Sequence, residues 1–170
     1  MRHKADLTPR QRILDGLSIL VCLGTLIYIA VMYRSLPQQI ASRFDASGNI
    51  TGYQGKSMLI LLGFFMVFLV TFPLSVLLRI RKLYKAISTP WPVPKGQEGR
   101  ITELTKDFIC IVNLMITIMF AYLMICCMHS MNPGVLVWLP IAAMTIALIV
   151  LLAKMRNICK KPRDRDPWET

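Results

Sequence analysis

Asp45, Ser47 and Asn49 stand at alternate positions and carry oxygen-bearing side chains, the spacing of the first ligands in a calcium-binding loop. Such a loop also needs glycine at its sixth position and a bidentate glutamate at its twelfth. This chain has Ile50 and Lys56 there, so no divalent-metal site is expected. The cysteines are equally quiet. Cys22, Cys110, Cys126, Cys127 and Cys159 form no CxxC, no metal spacing and no evident disulfide pair, and Cys159 reads as a plain juxtamembrane thiol rather than a palmitoylation site. The histidines are His3, in a basic N-terminus, and His129, which would need partners from elsewhere in the chain to be catalytic. No HExxH, no GxSxG and no pair of acidic residues within an apolar run occurs, and the chain is expected to be no enzyme and to take no cofactor.

The elements that must position these residues are four apolar stretches, 13–33, 57–78, 108–128 and 135–153. Each is close to the roughly 20 residues needed to cross a hydrocarbon core about 30 Å thick. The expected architecture is an all-α integral membrane protein, a four-transmembrane-helix bundle with cytoplasmic termini and an ordered extracytoplasmic first loop over residues 34–56. Orientation follows from charge. Of 20 Lys and Arg residues, only Arg34, Arg43 and Lys56 fall on the face opposite the termini, the excess that marks the cytoplasmic side. The net charge of +11 is therefore topogenic and suits anionic headgroups, and with no nucleic-acid-binding motif no nucleic-acid partner is expected. The first apolar run is too long for a signal peptide and reads as a retained anchor. Tyr33, Tyr53 and Trp138 fall near the outer interface, and Tyr84 and Trp91 near the inner one.

Between the spans, residues 79–107 form a basic connector broken by Pro90, Pro92, Pro94 and Gly96, after which Ile101, Leu104 and Phe108 recur at helical spacing and extend the third helix past the membrane. Residues 154–170 read as a disordered basic tail. Asn132 followed by Pro133 suggests a capped start for the fourth helix, with proline at its first position. Pro73 and Pro140 each predict a bend, and Thr71, Ser75 and Asn113 are candidate donors for a freed carbonyl. Asp15 lies near the inner end of the first span, where snorkelling or pairing with Arg12 is expected. The mid-span polar residues Thr25, Thr71, Asn113, Thr117 and Thr145 are uncharged, which disfavours coupled transport.

The first loop is the external segment large enough to make a site. Pro37 fixes its exit from the first span, and Asp45 to Gly48 suits a type I turn in which the carboxylate accepts backbone N–H groups. Leu36, Ile40 and Phe44 give one apolar face able to lie over the helix ends, and Gly52 beside Tyr53 permits a second bend. Asp45 could pair with Arg43 or Lys56 to pin the loop. The pattern Leu36-Pro37-x-x-Ile40-x-x-Arg43-Phe44-Asp45-x-x-Gly48-x-x-x-Gly52-Tyr53-x-x-Lys56, set between two spans, resembles the DUF1648 family of bacterial membrane proteins. The resemblance covers roughly residues 13–78 and implies a bacterial cell membrane location. The same domain forms the N-terminal part of Sdp-type immunity proteins, so the resemblance implies binding, immunity or signalling toward an extracellular peptide or similar agent. Candidate ligand-binding residues are Pro37, Arg43, Phe44, Asp45, Gly48, Gly52, Tyr53 and Lys56. Arg43 stands where the family usually has histidine, replacing a titratable group with a permanent cation. Spans three and four lack the polar signature of the longer immunity proteins. Besides the lipid bilayer, the expected partner is a peptide ligand or another membrane protein. The alternative is a small transporter or an accessory subunit of one.

Overall fold

A computed structural model of the chain describes residues 7–79 and 98–160. Helix α1 spans Pro9–Met32 and starts four residues before the apolar run, because Thr8 and Gln11 close a capping box. The Gln11 N–H donates to Thr8 Oγ1 at 3.4 Å and the Thr8 N–H to Gln11 Oε1 at 3.1 Å, with Pro9 at the first turn. The buried stripe of α1 is its polar one. Gln11, Asp15, Ser18, Cys22, Thr25 and Ile29 recur every three or four residues and face inward, while Leu20, Ile27 and Val31 face outward. That inverted pattern is what a bilayer selects, since lipid solvates leucine and only the bundle interior can satisfy a carboxyl or hydroxyl.

The first loop is an antiparallel hairpin, β1 Gln39–Phe44 and β2 Ile50–Gly55, so the expectation of an all-α protein needs this correction. The pairing runs from Gln39 opposite Gly55 to Phe44 opposite Ile50, with irregularities around Arg43. The second span is divided into α2 Met58–Phe65, a π-helical turn Met66–Thr71 and α3 Phe72–Arg79. Its buried positions Leu59, Gly63, Met66, Val70, Thr71, Ser75 and Leu78 bear on the wide turn. Met66 to Val70 is a step of four and Thr71 to Ser75 another, so the adjacent buried pair Val70 and Thr71 marks a one-residue shift of the buried stripe, which the extra residue of the π turn accommodates. Pro73 follows directly, so its missing N–H falls at the turn already widened.

Helix α4 covers Glu98–His129 and begins well before the apolar run that starts at 108, as its periodicity predicts. It ends in a Schellman motif: the Met131 N–H reaches Cys126 O at 3.0 Å, the Ser130 N–H points to Cys127 O at 3.4 Å, and Ser130 takes a φ of 50°. A 3-10 turn, Gly134–Val137, leads into α5, Trp138–Lys160. Pro133 thus precedes the turn rather than opening an α-helix. Pro140 lies in the first turn of α5, where a missing N–H costs nothing, and the expected bend is not needed. Residues 154–160 are helical, which corrects the expectation that the tail begins at 154. The proline-rich stretch from Pro90, the aromatics Tyr84 and Trp91, His3 and the tail beyond Lys160 lie outside the described residues.

Among the described residues, four helical segments are long and apolar enough to cross a membrane: Pro9–Met32, Met58–Leu78, Gly99–His129 and Gly134–Cys159. One apolar core, around Ile29, Ile40, Leu59, Met66, Met124 and Cys127, lies beneath the hairpin. A second, around Leu78, Ile109 and Cys110 with Leu7 and Leu14 against it, lies toward the termini.

Candidate functional site

The hairpin is seated rather than free. Ile40 and Ala41 are buried, and Leu36 and Phe44 pack with Ile40 on the upper core, as their spacing predicts. The tip is closed by the side chain of Asp45: Oδ1 accepts the Asn49 N–H at 2.7 Å and Oδ2 the Asn49 Nδ2 at 3.1 Å. The Gly48 N–H reaches the Asp45 carbonyl at 2.9 Å with φ of 82°, the turn expected from the sequence. These hydrogen bonds, first the backbone one from Asn49 and then its side chain, hold the Asp45 carboxyl below the usual carboxylate range. Asp45 is therefore taken by Asn49, and among the described residues no ion pair joins it to Arg43 or Lys56. A Cβ on Gly48 would overlap Asn132 Oδ1 and stand 2.9 Å from the Gly134 N. Asn132 itself accepts from the Gly134 N–H at 2.7 Å and points Nδ2 at Ser47 O, 3.5 Å away, so the hairpin tip rests on the loop between α4 and α5.

The remaining candidates are strung along the hairpin and do not converge. Pro37 and Arg43 are exposed, and the Arg43 stem crosses Gly52, whose absent Cβ would stand 3.2 Å from Arg43 Cδ. Lys56 lies at the base, its Nζ 5.0 Å from the centre of the Tyr33 ring, a cation–π contact at the helix ends. Six residues of strand put the base and the tip about 20 Å apart. Tyr53 is 59% exposed on β2, the strand farther from the helices. Because the Lys56 N–H bonds the Gln38 carbonyl, antiparallel alternation turns the backbone groups of Tyr53 and Gly55 away from β1 toward an open edge. Beneath β1 is an apolar cavity of about 210 Å³ lined by Ile40, Phe44, Met58, Leu62, Met124 and Cys127. His129 bonds through Nε2 to the Tyr28 hydroxyl at 2.9 Å, a partner on α1 and not on the first loop.

A second polar centre lies inside the bundle, and the sequence reading missed it. Asp15 is 3% exposed instead of snorkelling, because α1 begins at Pro9 and places it nearly two turns into the helix. Its Oδ1 accepts the Ser75 hydroxyl at 2.5 Å, and its carbonyl accepts the Ser18 hydroxyl at 2.7 Å. Asn113 Nδ2 donates to Ser18 Oγ at 3.2 Å and Ser75 Oγ at 3.3 Å. Both serine protons point toward Asp15, so the amide nitrogen must face the serines. Asn113 Oδ1 is then left without a hydrogen-bond donor. The Thr117 hydroxyl donates to the Asn113 carbonyl at 2.8 Å, which makes Thr71 the donor in its 3.3 Å contact with Thr117. Gln11 Nε2 reaches Asp107 Oδ1 at 2.6 Å and ties α1 to α4. Thr71, Ser75 and Asn113, expected to serve the carbonyl freed by proline, instead join three helices. The spacing 11, 15, 18, 22, 25 in an apolar span was the available signal.

Fold and site together define a multi-pass membrane protein whose loop between the first two spans is a docked hairpin. Residues 20–68, from within α1 through the hairpin into the π-helical turn, match DUF1648, a domain of unknown function. That part of the chain is thus similar to the DUF1648 family, as the first-loop pattern indicates. No curated protein and no solved structure matches the chain.

Proposed function

We propose that this chain is a non-enzymatic component of a bacterial cell membrane that recognises an extracellular peptide or similar agent through its first loop, for immunity or signalling. Both termini are read as cytoplasmic from the placement of basic residues, which puts the hairpin outside. The observation that carries the proposal is the geometry of β2. It presents outward-facing backbone groups and an exposed Tyr53, on a hairpin anchored by Ile40 and Asn132. An extended peptide can add as a third strand there, gaining main-chain hydrogen bonds without reordering the platform. The resemblance of the first-loop region to DUF1648, a domain that Sdp-type immunity proteins share, supports the same reading, while spans three and four lack those proteins' polar signature.

Tyr53→Pro tests it. Proline removes an outward N–H while leaving the β1 pairing intact, so the hairpin folds but its edge is blocked. In cells that lose resistance or response to secreted peptides on deletion of the gene, wild type should restore it and Tyr53→Pro should not, at equal membrane levels. Full restoration by the variant removes the edge from the mechanism.

A second reading, a small transporter or accessory subunit, is favoured by the seam. A carboxyl within a span and facing the bundle interior, beside an amide oxygen without a donor, is the kind of group that ion and proton pathways use. Asp15→Asn with intact peptide resistance and abolished ion flux in vesicles would support this reading; unchanged flux would remove it.

A further inference from the structure

Helix α5 has one buried side chain among its described residues, Met155, and two cavities open along its seam with α4. The first, about 430 Å³, lies on the side of the termini and carries Arg100, Glu103 and Asp107 from α4 with Lys154 and Asn157 from α5. The second, about 540 Å³, is apolar and is walled by Phe108 and Ile116 of α4 and Met144 and Leu148 of α5. Leu104, in the polar cavity, and Phe108, in the apolar one, are four residues apart on α4, so the two follow one another along a single face.

Depth places the junction at a membrane interface. From Asp107 to His129, α4 rises about 33 Å at 1.5 Å per residue, one hydrocarbon thickness from the outer loop. The polar cavity is therefore at headgroup level and the apolar groove at acyl-chain level. The charges in the polar cavity balance, two cations against two carboxylates, and among the described residues no ion pair closes across it. The Asp107 carboxylate is fixed by Gln11 through Oδ1, which aims a held acceptor at this space.

We infer that this seam is a binding site for one zwitterionic phospholipid bearing a primary ammonium headgroup, phosphatidylethanolamine, in the leaflet on the side of the termini. Arg100, Lys154 and the Asn157 amide take the phosphate, and Glu103 and Asp107 take the ammonium, which has three N–H donors to give. A chain lies in the groove between Phe108 and Leu148. The carboxylates set the selectivity: phosphatidylglycerol brings them no cation, and the trimethylammonium of phosphatidylcholine has no N–H. The net charge of the chain would by itself select anionic lipid, so the preference argued here runs against the bulk electrostatics.

The full-length protein is reconstituted in nanodiscs containing equal parts of phosphatidylethanolamine, phosphatidylglycerol and phosphatidylcholine, and lipids retained on release are read by native mass spectrometry. Phosphatidylethanolamine should be enriched about tenfold over each of the others, the effect of one charge-assisted hydrogen bond. Glu103→Gln should bring that ratio toward unity, while Lys154→Ala should lower retention of every phospholipid. A chain ended after Lys160 should keep the preference. Equal retention of the three lipids by wild type, or enrichment of phosphatidylglycerol, overturns the assignment. So does loss of the preference on truncation, which would move headgroup recognition to the tail, or displacement of the lipid by soluble phosphoethanolamine, which would make the headgroup alone the ligand.

Discussion

At Asp45 the turn is held by a carboxyl that accepts most strongly when ionised. Both its oxygens accept from Asn49, and its folded-state pKa is depressed below that of the unfolded chain. A depressed carboxyl contributes stability that is fully present above the unfolded value, about 3.9, and is lost as pH falls through the folded value. Hydrogen-exchange protection of the Asn49 amide should therefore be flat from neutral pH down to about 4, then decline with further acid. Asp45→Asn should abolish that acid step. Gly48 is constrained twice, by φ of 82° and by Asn132. Gly48→Val should cost about 1–3 kcal/mol from backbone conformation alone, with the clash in addition, seen as a lower unfolding temperature in detergent. An unchanged melting temperature would mean the tip is not seated on the loop between α4 and α5.

At the scale of elements, the transmembrane helices are joined by polar contacts in a solvent where apolar contact gives little preference for a neighbour over lipid. Asp15→Ala removes the acceptor of the Ser75 hydroxyl and should lower stability in detergent by about 1–3 kcal/mol, with Asp15→Asn costing less because an amide oxygen can still accept. Equal melting of all three proteins would show that the seam does not hold the bundle. The end of α4 offers a change of opposite sign: Ser130 occupies a left-handed position that glycine fills without strain, so Ser130→Gly should raise stability by about 0.5–1 kcal/mol. Element ends explain much of what the sequence did and did not disclose. The four apolar runs announced the spans, but hydropathy cannot see a helix whose first turn is Pro9 to Arg12, and without the Thr8 to Gln11 capping box Asp15 looked terminal. The π turn at Met66–Thr71 was hidden because proline signals a bend, whereas the extra residue shows only in which side chains are buried.

Across the whole molecule, one end has the hairpin seated on the helix ends, and the end where α1 starts carries charge and an open seam between α4 and α5. The first-loop motif was legible because turn chemistry is local: Asp45, Gly48 and the apolar Leu36, Ile40 and Phe44 did what their types dictate. That the loop is a hairpin was less legible, since Gln39 to Phe44 alternates weakly and is broken by irregularities near Arg43. The eight residues proposed as one site turned out to lie along about 20 Å of ribbon, because proximity in sequence says nothing about convergence when the chain is extended.

The most direct test of the outer recognition surface is photocrosslinking in living cells, with a photoreactive phenylalanine analogue at Tyr53 and, as control, at the lipid-facing Val31. In the presence of secreted peptides, the account predicts a discrete peptide adduct at position 53 that is missing at position 31. No adduct at either position, or the same adducts at both, would contradict a binding role for the hairpin edge.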